Sequence, residues 1–375
     1  MAAGGEYEVA SLISNHIQGQ APASKNRSAQ AKPEHIPELD GLRGCAIAAV
    51  LIYHFSNQLP RIPGIGLLIH FGWSGVDLFF VLSGFLITRI LAKTRTHPGF
   101  FRNFYARRVL RIFPVYYWTL AIVIPIFDAV PALRSAIPSH HDLSFYWLYL
   151  QNWTPLMQAV NQQSFGHFWS LAIEEQFYWI WPLVVWSVPP RRLMAVSIAG
   201  FFLAFALRLS ISSHWFIWRA TFTRMDALMM GSICALALDH PTVREWLGKR
   251  AKILVIPALF LLAGVILGDR LLGERFTDTL GLSAIALSYG LLLLYAAHAQ
   301  GAVRRVFRSS ALTGLGKYSY GIYVYHVPIA AMLSLTPIHT GLKMFLLLMV
   351  TSIGLGALSY ELAEKKILGL KSRFA

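Results

Sequence analysis

The run from Asp40 to Phe55, DGLRGCAIAAVLIYHF, is an apolar stretch with two side chains that could do chemistry, Arg43 and His54. They are eleven positions apart, so on an α-helix they return to nearly the same face, with their backbones about 16 Å apart along the axis. Ionisable groups deep in an apolar helix are costly and are usually retained for a pathway or a reaction. This spacing marks Arg43 and His54 as candidate functional residues.

The imidazole of His54 is the group best suited to acid-base chemistry in this run. It titrates near neutral pH, so it can take a proton from a hydroxyl and return it to a leaving group. We predict that His54 is a general base and that Arg43 works with it. The alternatives are a hydrogen-bonded core histidine and an arginine that only marks the inner edge of the membrane.

A second candidate is the aromatic run from Phe165 to Pro182, FGHFWSLAIEEQFYWIWP, which contains the adjacent carboxylates Glu174 and Glu175. Consecutive helical residues point about 100° apart, so we expect that the two do not line the same cavity face. We predict that one pairs with an arginine of another helix and that the other orients a histidine or binds the substrate. The alternative is that both are solvated at the outer mouth of the helix.

Charged residues in three further places suggest electrostatic contacts. Arg108 and Arg111 in FRNFYARRVLRIFP are three apart and share a helix face, and paired guanidinium groups can grip phosphate or pyrophosphate bidentately. The alternative for these two is a lipid-headgroup patch. We also predict that Asp77 pairs with an arginine and that Arg224 and Asp226 form a charge pair within one helix.

The composition indicates a polytopic membrane protein. Of the 375 residues, 55% are hydrophobic and 14% are charged, whereas about a quarter are charged in ordinary soluble domains. The mean hydropathy is +0.51. The net charge of +15 comes from short basic patches between apolar runs, so we predict no nucleic-acid binding. Cys45 and Cys234 have no metal-ligand spacing, and no HExxH, GxSxG or P-loop motif occurs, so we predict no metal site.

The apolar runs predict an all-α polytopic protein with about ten transmembrane helices. They fall at about 41–57, 72–91, 109–130, 166–188, 193–211, 220–238, 253–268, 279–299, 311–333 and 344–362. The run Phe145 to Trp153, FYWLYLQNW, has about half the length needed to cross a membrane and is predicted to be a short re-entrant segment, or else an interfacial one.

The basic residues predict the topology. If the N-terminus is cytoplasmic and ten helices alternate, most of the 33 Lys and Arg residues lie on the inner side, as the positive-inside bias requires. We therefore predict that both termini are cytoplasmic. The predicted organisation is a disordered cytoplasmic N-terminal tail over 1–38, a transmembrane domain over 39–365 and a cytoplasmic C-terminal tail over 366–375.

Five motifs in order resemble the signatures of the integral-membrane acyltransferase 3 family: LDGLRG followed by YHF, then GWSGVDLFFVLSGFLIT, RRVLRIFP, FWSLAIEEQFY and YSYGIYVYH. The resemblance extends from Leu39 to the last apolar run. It implies a bacterial inner-membrane enzyme that moves an acyl group, commonly acetyl, from acyl-CoA to a hydroxyl of a glycan, lipid-linked sugar or glycosylated small molecule. It also implies that Arg43 and His54 are the functional pair and that Arg108 and Arg111 are needed for activity. We expect the stand-alone form, without the extracytoplasmic SGNH-type domain of some members.

The resemblance implies acyl-CoA as a co-substrate and no permanently bound cofactor. On this hypothesis Arg43, Arg108 and Arg111 hold the nucleotide phosphates at the inner surface, the thioester lies near His54, and Glu174 or Glu175 stabilises the imidazolium. The alternative is a proton-coupled transporter or flippase whose intramembrane Arg, His and Glu residues form a path. We see no inverted repeat, which disfavours a transporter.

Overall fold

Ten long helices form the body of the protein in the computed structural model, which describes residues 35–59, 65–153, 164–338 and 341–374. Within these ranges all regular secondary structure is helical, and each predicted apolar run overlaps one of the ten helices, which confirms the all-α prediction. The helices are α1 Pro37–Phe55, α2 Gly75–Thr94, α3 Phe100–Ala129, α4 Trp169–Ser187, α5 Pro190–Ser210, α6 Thr221–Asp239, α7 Val255–Leu272, α8 Leu282–Ala297, α9 Ser310–Leu333 and α10 Leu342–Ser359.

Seven helical segments of the described chain are long and apolar enough to cross a membrane, which identifies a multi-pass membrane protein. They contain α2, α3, α5, α6, α7, α8 and α10. The helices α1, α4 and α9 are not among these seven segments. They carry many of the polar and aromatic residues that mark the candidate site, and their membrane crossing, and so the total of ten spans, stays a prediction.

The segment predicted to be re-entrant folds as a short helix, His140–Trp147, and a 3₁₀ turn, Gln151–Trp153. Tyr149 lies between them with a φ of 55°, in the left-handed region that interrupts a helix. The side-chain amide of Gln176 in α4 donates to the Tyr149 carbonyl at 2.7 Å and to Asn152 Oδ1 at 2.8 Å. These bonds attach the segment to α4, and its place in the membrane stays a prediction.

Glycines allow two pairs of helices to pack backbone to backbone. A Cβ at Gly84 of α2 would collide with the carbonyl of Leu228 in α6, and one at Gly231 of α6 would collide with the carbonyl of Val81. A Cβ at Gly316 of α9 would collide in the same way with the Asp40 carbonyl of α1. Small residues at such interfaces are the usual means of close helix packing in membranes. They fix α2 against α6 and α1 against α9.

Two buried ion pairs tie α2, α5 and α6 together. Arg224 Nη2 lies 2.7 Å from Asp77 Oδ1, and Arg208 Nη2 lies 2.7 Å from Asp226 Oδ2. The pairing of Asp77 with an arginine is therefore confirmed, whereas the predicted pair between Arg224 and Asp226 is wrong. Residues two apart on a helix point to different sides, so each of these finds its partner on another helix.

The described ends of the chain pack on neighbouring basic elements. α1 begins at Pro37, and its buried Glu38 accepts bonds from Arg304 at 3.1 Å and Arg308 at 2.8 Å, both in the connection before α9. Beyond α10 the chain continues through a short helix, Lys365–Gly369, and a 3₁₀ turn, Leu370–Phe374, which packs against α3. Most of the predicted N-terminal tail, residues 1–34, lies outside the described residues.

Candidate active site

Charged side chains from four elements line a cavity of about 250 Å³ inside the bundle, which we call the arginine cavity. Its apolar walls come mainly from α2, including Phe79, Phe80 and Leu86. Its charged residues are Arg43 of α1, Arg108 and Arg111 of α3, Glu174 and Glu175 of α4, and Lys371 of the C-terminal turn. Five of these six residues are the ones that sequence spacing marked as candidates.

The two adjacent carboxylates line this cavity together, so the expectation that they could not is wrong. Ser83 of α2 donates to Glu174 Oε1 at 2.6 Å, and both carboxylates interact electrostatically with Arg108 of α3. The cavity therefore extends around α4 from α2 to α3, which spans the 100° between consecutive residues. Within the described residues neither carboxylate forms the predicted ion pair, and Glu175 Oε1 has no hydrogen-bond partner.

The arginines of the cavity have few partners of opposite charge. Arg43 Nη1 bonds Asp40 Oδ1 at 2.7 Å. The guanidinium of Arg108 lies over the ring of Tyr178, 5.9 Å from its centroid, and its Nε has no partner in the described part of the chain. Arg108 and Arg111 line the same cavity, in agreement with their spacing in the sequence. The cluster can therefore accept an anionic group.

His54 lines a different cavity, of about 570 Å³, which we call the histidine cavity. Four indole rings form much of its wall, and four histidines and two arginines also line it: Trp73, Trp169, Trp215, Trp218, His54, His70, His167, His214, Arg219 and Arg224. Although Arg43 and His54 are on one helix, they thus face separate cavities. The two cavities share two lining residues, Val76 of α2 and Tyr323 of α9, which form the partition between them.

Three histidines cluster beside this partition. The ring centroids of His54 and His326 are 4.8 Å apart, and those of His326 and His167 are also 4.8 Å apart. Tyr323 donates its hydroxyl to the His167 carbonyl at 3.0 Å, which ties the cluster to the partition. His326 lies in the family motif YSYGIYVYH, whereas His167 was not singled out from the sequence. The only signal for His167 was its place in FGHFWSL, directly before α4.

The hydrogen bonds of the cluster assign its protons. His54 Nδ1 lies 2.9 Å from the Val50 carbonyl, and His326 Nδ1 lies 2.7 Å from the Tyr323 carbonyl. A carbonyl only accepts, so in both rings Nδ1 carries the hydrogen and Nε2 keeps its lone pair when the ring is neutral. His54 is exposed, so its Nε2 can accept a proton from a group in the histidine cavity. Among the described residues, His326 Nε2 and both nitrogens of His167 have no partner.

A fourth histidine, His214, is expected to make the stability of the fold at the edge of the histidine cavity depend on pH. His214 lies between α5 and α6, with Nδ1 2.8 Å from Asp278 Oδ1, and Trp218 donates to the same carboxylate oxygen at 2.7 Å. The hydrogen bond to Asp278 raises the pKa of His214 above its usual 6.5. The pair therefore adds stability fully below about pH 6.5 and loses it as the pH rises through the raised pKa.

We expect the His214→Gln variant to lower the unfolding temperature of the purified protein more at about pH 5.5 than at about pH 9. Thermal unfolding in detergent at the two pH values measures this difference. His70→Gln is the matched control, because His70 lines the same cavity and contacts the ring of Tyr53. An equal loss at both pH values for His214→Gln would contradict the prediction.

The helices and cavities define a multi-pass membrane protein with a polar site enclosed in its bundle. The profile of an acyltransferase domain family, acyltransferase 3, matches residues 36–361, and the chain therefore belongs to the integral-membrane acyltransferase 3 family. This confirms the resemblance found in its motifs.

Curated relatives agree with this assignment. An O-acetyltransferase OatA of Staphylococcus aureus is 29% identical over 321 residues, which cover 79% of this chain and 51% of the relative. A peptidoglycan O-acetyltransferase OatA of Listeria monocytogenes is 30% identical over 329 residues, which cover 81% of this chain and 50% of the relative. The chain thus spans about half the length of these relatives. No solved structure matches it significantly.

Proposed function

We propose that the protein is an O-acyltransferase that moves an acyl group, in the simplest case acetyl, from acyl-CoA to a sugar hydroxyl of an exported or cell-surface glycan. The observation that carries the proposal is the meeting of two chemically different cavities at Val76 and Tyr323, next to three clustered histidines. The similarity to O-acetyltransferases, one of them named for peptidoglycan, supports the transfer of acetyl to a glycan.

The arginine cavity is proposed to receive the donor. At about 250 Å³ it lies below the roughly 300–1,000 Å³ of sites that enclose whole small molecules, so it suits the narrow acyl-pantetheine arm. The nucleotide would then stay at the mouth, with its phosphates against Arg43, Arg108 and Arg111. The predicted topology turns this mouth to the cytoplasm, where acyl-CoA is present. The bacterial inner membrane as the location is proposed from the family resemblance.

The histidine cavity is proposed to receive the acceptor. Its volume of about 570 Å³ falls within the range of small-molecule sites, and its four indole rings offer flat apolar faces on which sugar rings can stack. The acceptor is a glycan, a lipid-linked sugar or a glycosylated small molecule. Its reacting hydroxyl would lie beside His54, next to the partition.

The proposed reaction uses His54 Nε2 as the general base. His54 takes the hydroxyl proton as the oxygen attacks the thioester carbonyl carbon. The carbon–sulfur bond then breaks, and the departing CoA thiolate takes the proton back from the imidazolium. The Nδ1–H bond to the Val50 carbonyl keeps the ring in the required tautomer throughout. The products are the sugar ester and free CoA.

The proposed role of the two glutamates differs from the one expected from sequence. Because Glu174 and Glu175 line the arginine cavity and His54 lines the other, neither is placed to stabilise the imidazolium directly. We assign them to the donor side, where they offset part of the guanidinium charge and orient the acyl arm. Ser83 fixes Glu174 in this arrangement through its 2.6 Å bond.

The test uses the purified protein in detergent with radiolabelled acetyl-CoA and a thiol reagent that detects free CoA. We expect CoA release and label transfer when cell-surface glycan is added and neither product without it. Mass spectrometry of the glycan should find a gain of about 42 Da per modified site, the mass of one acetyl group. A carrier would release no CoA with any acceptor, and that result would overturn the proposal in favour of a transporter or flippase.

A further inference from the structure

Lys371 is a fourth cation of the arginine cavity, and it comes from the end of the chain rather than from the helical bundle. It lies in the turn Leu370–Phe374, which follows the short helix Lys365–Gly369 and packs against α3. This turn brings a lysine to the cavity that already contains Arg43, Arg108 and Arg111. The sequence alone suggested only a basic tail here.

The positively charged surroundings of Lys371 favour the binding of an anion. Its charged neighbours on α3 are Arg107, Arg108 and Arg111, all of the same sign. Within the described residues the Lys371 ammonium interacts only with these like charges and has no hydrogen bond or ion pair. The Nε atoms of Arg107 and Arg108 also lack partners there. Converging like charges repel one another unless a ligand of opposite charge lies between them.

The carboxylates near this end of the cavity are already engaged. Glu361 bonds Lys317 at 2.6 Å and Lys365 at 3.0 Å, and Glu364 accepts from Ser359 at 3.1 Å. Asp40 pairs with Arg43, Glu174 is bonded to Ser83, and Glu175 interacts electrostatically with Arg108 but not with Lys371. A ligand with several negative charges is therefore what these cations lack, and a phosphate group meets this need.

We propose that the turn Leu370–Phe374 closes the mouth of the arginine cavity and that Lys371 binds a phosphate of the nucleotide part of the donor. This inference rests on the proposed function, since it takes acyl-CoA as the ligand. The ammonium acts as a point charge beside the guanidinium pair of Arg108 and Arg111, a combination often used to hold pyrophosphate. Lys371 then contributes to donor affinity and takes no part in the chemical step.

The test compares CoA binding and acetyl transfer for Lys371→Ala and the wild type in lipid-free neutral detergent. We expect the Kd for CoA and the KM for acetyl-CoA to rise about tenfold, as for loss of one charge-assisted bond, while kcat stays within about twofold. Lys371→Arg should keep most of the affinity. Arg373→Ala is the matched control, because Arg373 is exposed on the same turn and does not line the cavity.

Two further measurements, CoA binding by Arg108→Ala and protein binding to anionic vesicles, distinguish the possible ligands of Lys371. If the wild type binds no CoA, the proposed donor is wrong. A second outcome is that the wild type binds CoA and Arg108→Ala weakens this binding, but Lys371→Ala binds CoA as well as Arg373→Ala does. That outcome overturns the inference about Lys371 and leaves the donor assignment intact. If Lys371→Ala weakens binding only to phosphatidylglycerol vesicles and not to CoA, its ligand is a lipid headgroup, which also overturns the inference.

Discussion

Replacing His54 by alanine is expected to lower acyl transfer by about 10²–10⁴-fold, the usual contribution of a positioned general base. The loss follows because Nε2 of His54, which the Val50 bond leaves free beside the histidine cavity, is the proposed proton acceptor. The side chain is exposed, so its removal leaves the core intact. The measurement is label transfer from acetyl-CoA to glycan, with the amount of protein in the membrane determined in parallel.

His298→Ala is the matched control for this prediction. The His298 ring makes the same kind of bond, with Nδ1 3.0 Å from the carbonyl of Leu294 four residues earlier, but it lines neither cavity. We expect this variant to transfer acetyl at the wild-type rate. Normal transfer by His54→Ala would remove the general-base assignment, and loss in both variants would indicate damage to the fold.

Replacing Asp77 by alanine is expected to destabilise the protein by about 3–5 kcal/mol, because the change leaves the buried charge of Arg224 without its partner. The side chains of Arg224 and Asp77 are 1% and 2% exposed. The guanidinium also lies over the rings of Trp169 and Trp218, at 5.7 and 5.1 Å from their centroids, so it cannot turn to water without breaking this packing. Denaturant unfolding in detergent measures the change in free energy.

Two control variants test whether the burial of the charge causes the loss of stability. The double variant Asp77→Leu with Arg224→Met removes both charges and should recover much of the lost free energy of unfolding. Glu245→Ala breaks the exposed pair with Lys249 and should change the free energy of unfolding little. The interpretation fails if Asp77→Ala is no more destabilising than Glu245→Ala.

The sequence was sufficient to place the helices and to group the cations. A long continuous apolar run in a membrane satisfies its backbone hydrogen bonds as a helix, and each of the ten runs overlaps one of the helices. Arg108 and Arg111 were placed on one face by their spacing of three, and both line the arginine cavity. Such local geometry depends on helical periodicity alone and needs no knowledge of the neighbouring helices.

The relations between helices could not be predicted. Arg43 and His54 share a helix face, yet Val76 of α2 and Tyr323 of α9 separate their cavities, and nothing in the α1 sequence specifies those neighbours. Spacing rules likewise could not tell how far the arginine cavity extends around α4, so the positions of Glu174 and Glu175 were misjudged. Lys371 reaches the cavity through a fold-back of the chain end, which has no local signature.

The wall made by Val76 and Tyr323 has a consequence for how the membrane stays sealed. With the proposed donor and acceptor each held on its own side, only the few atoms of the acyl group have to pass this point. The nucleotide would then stay on the cytoplasmic side and the sugar on the other, so the transfer would require no opening wide enough for either molecule. Delivery across the bilayer would then occur without the alternating movements of a transporter.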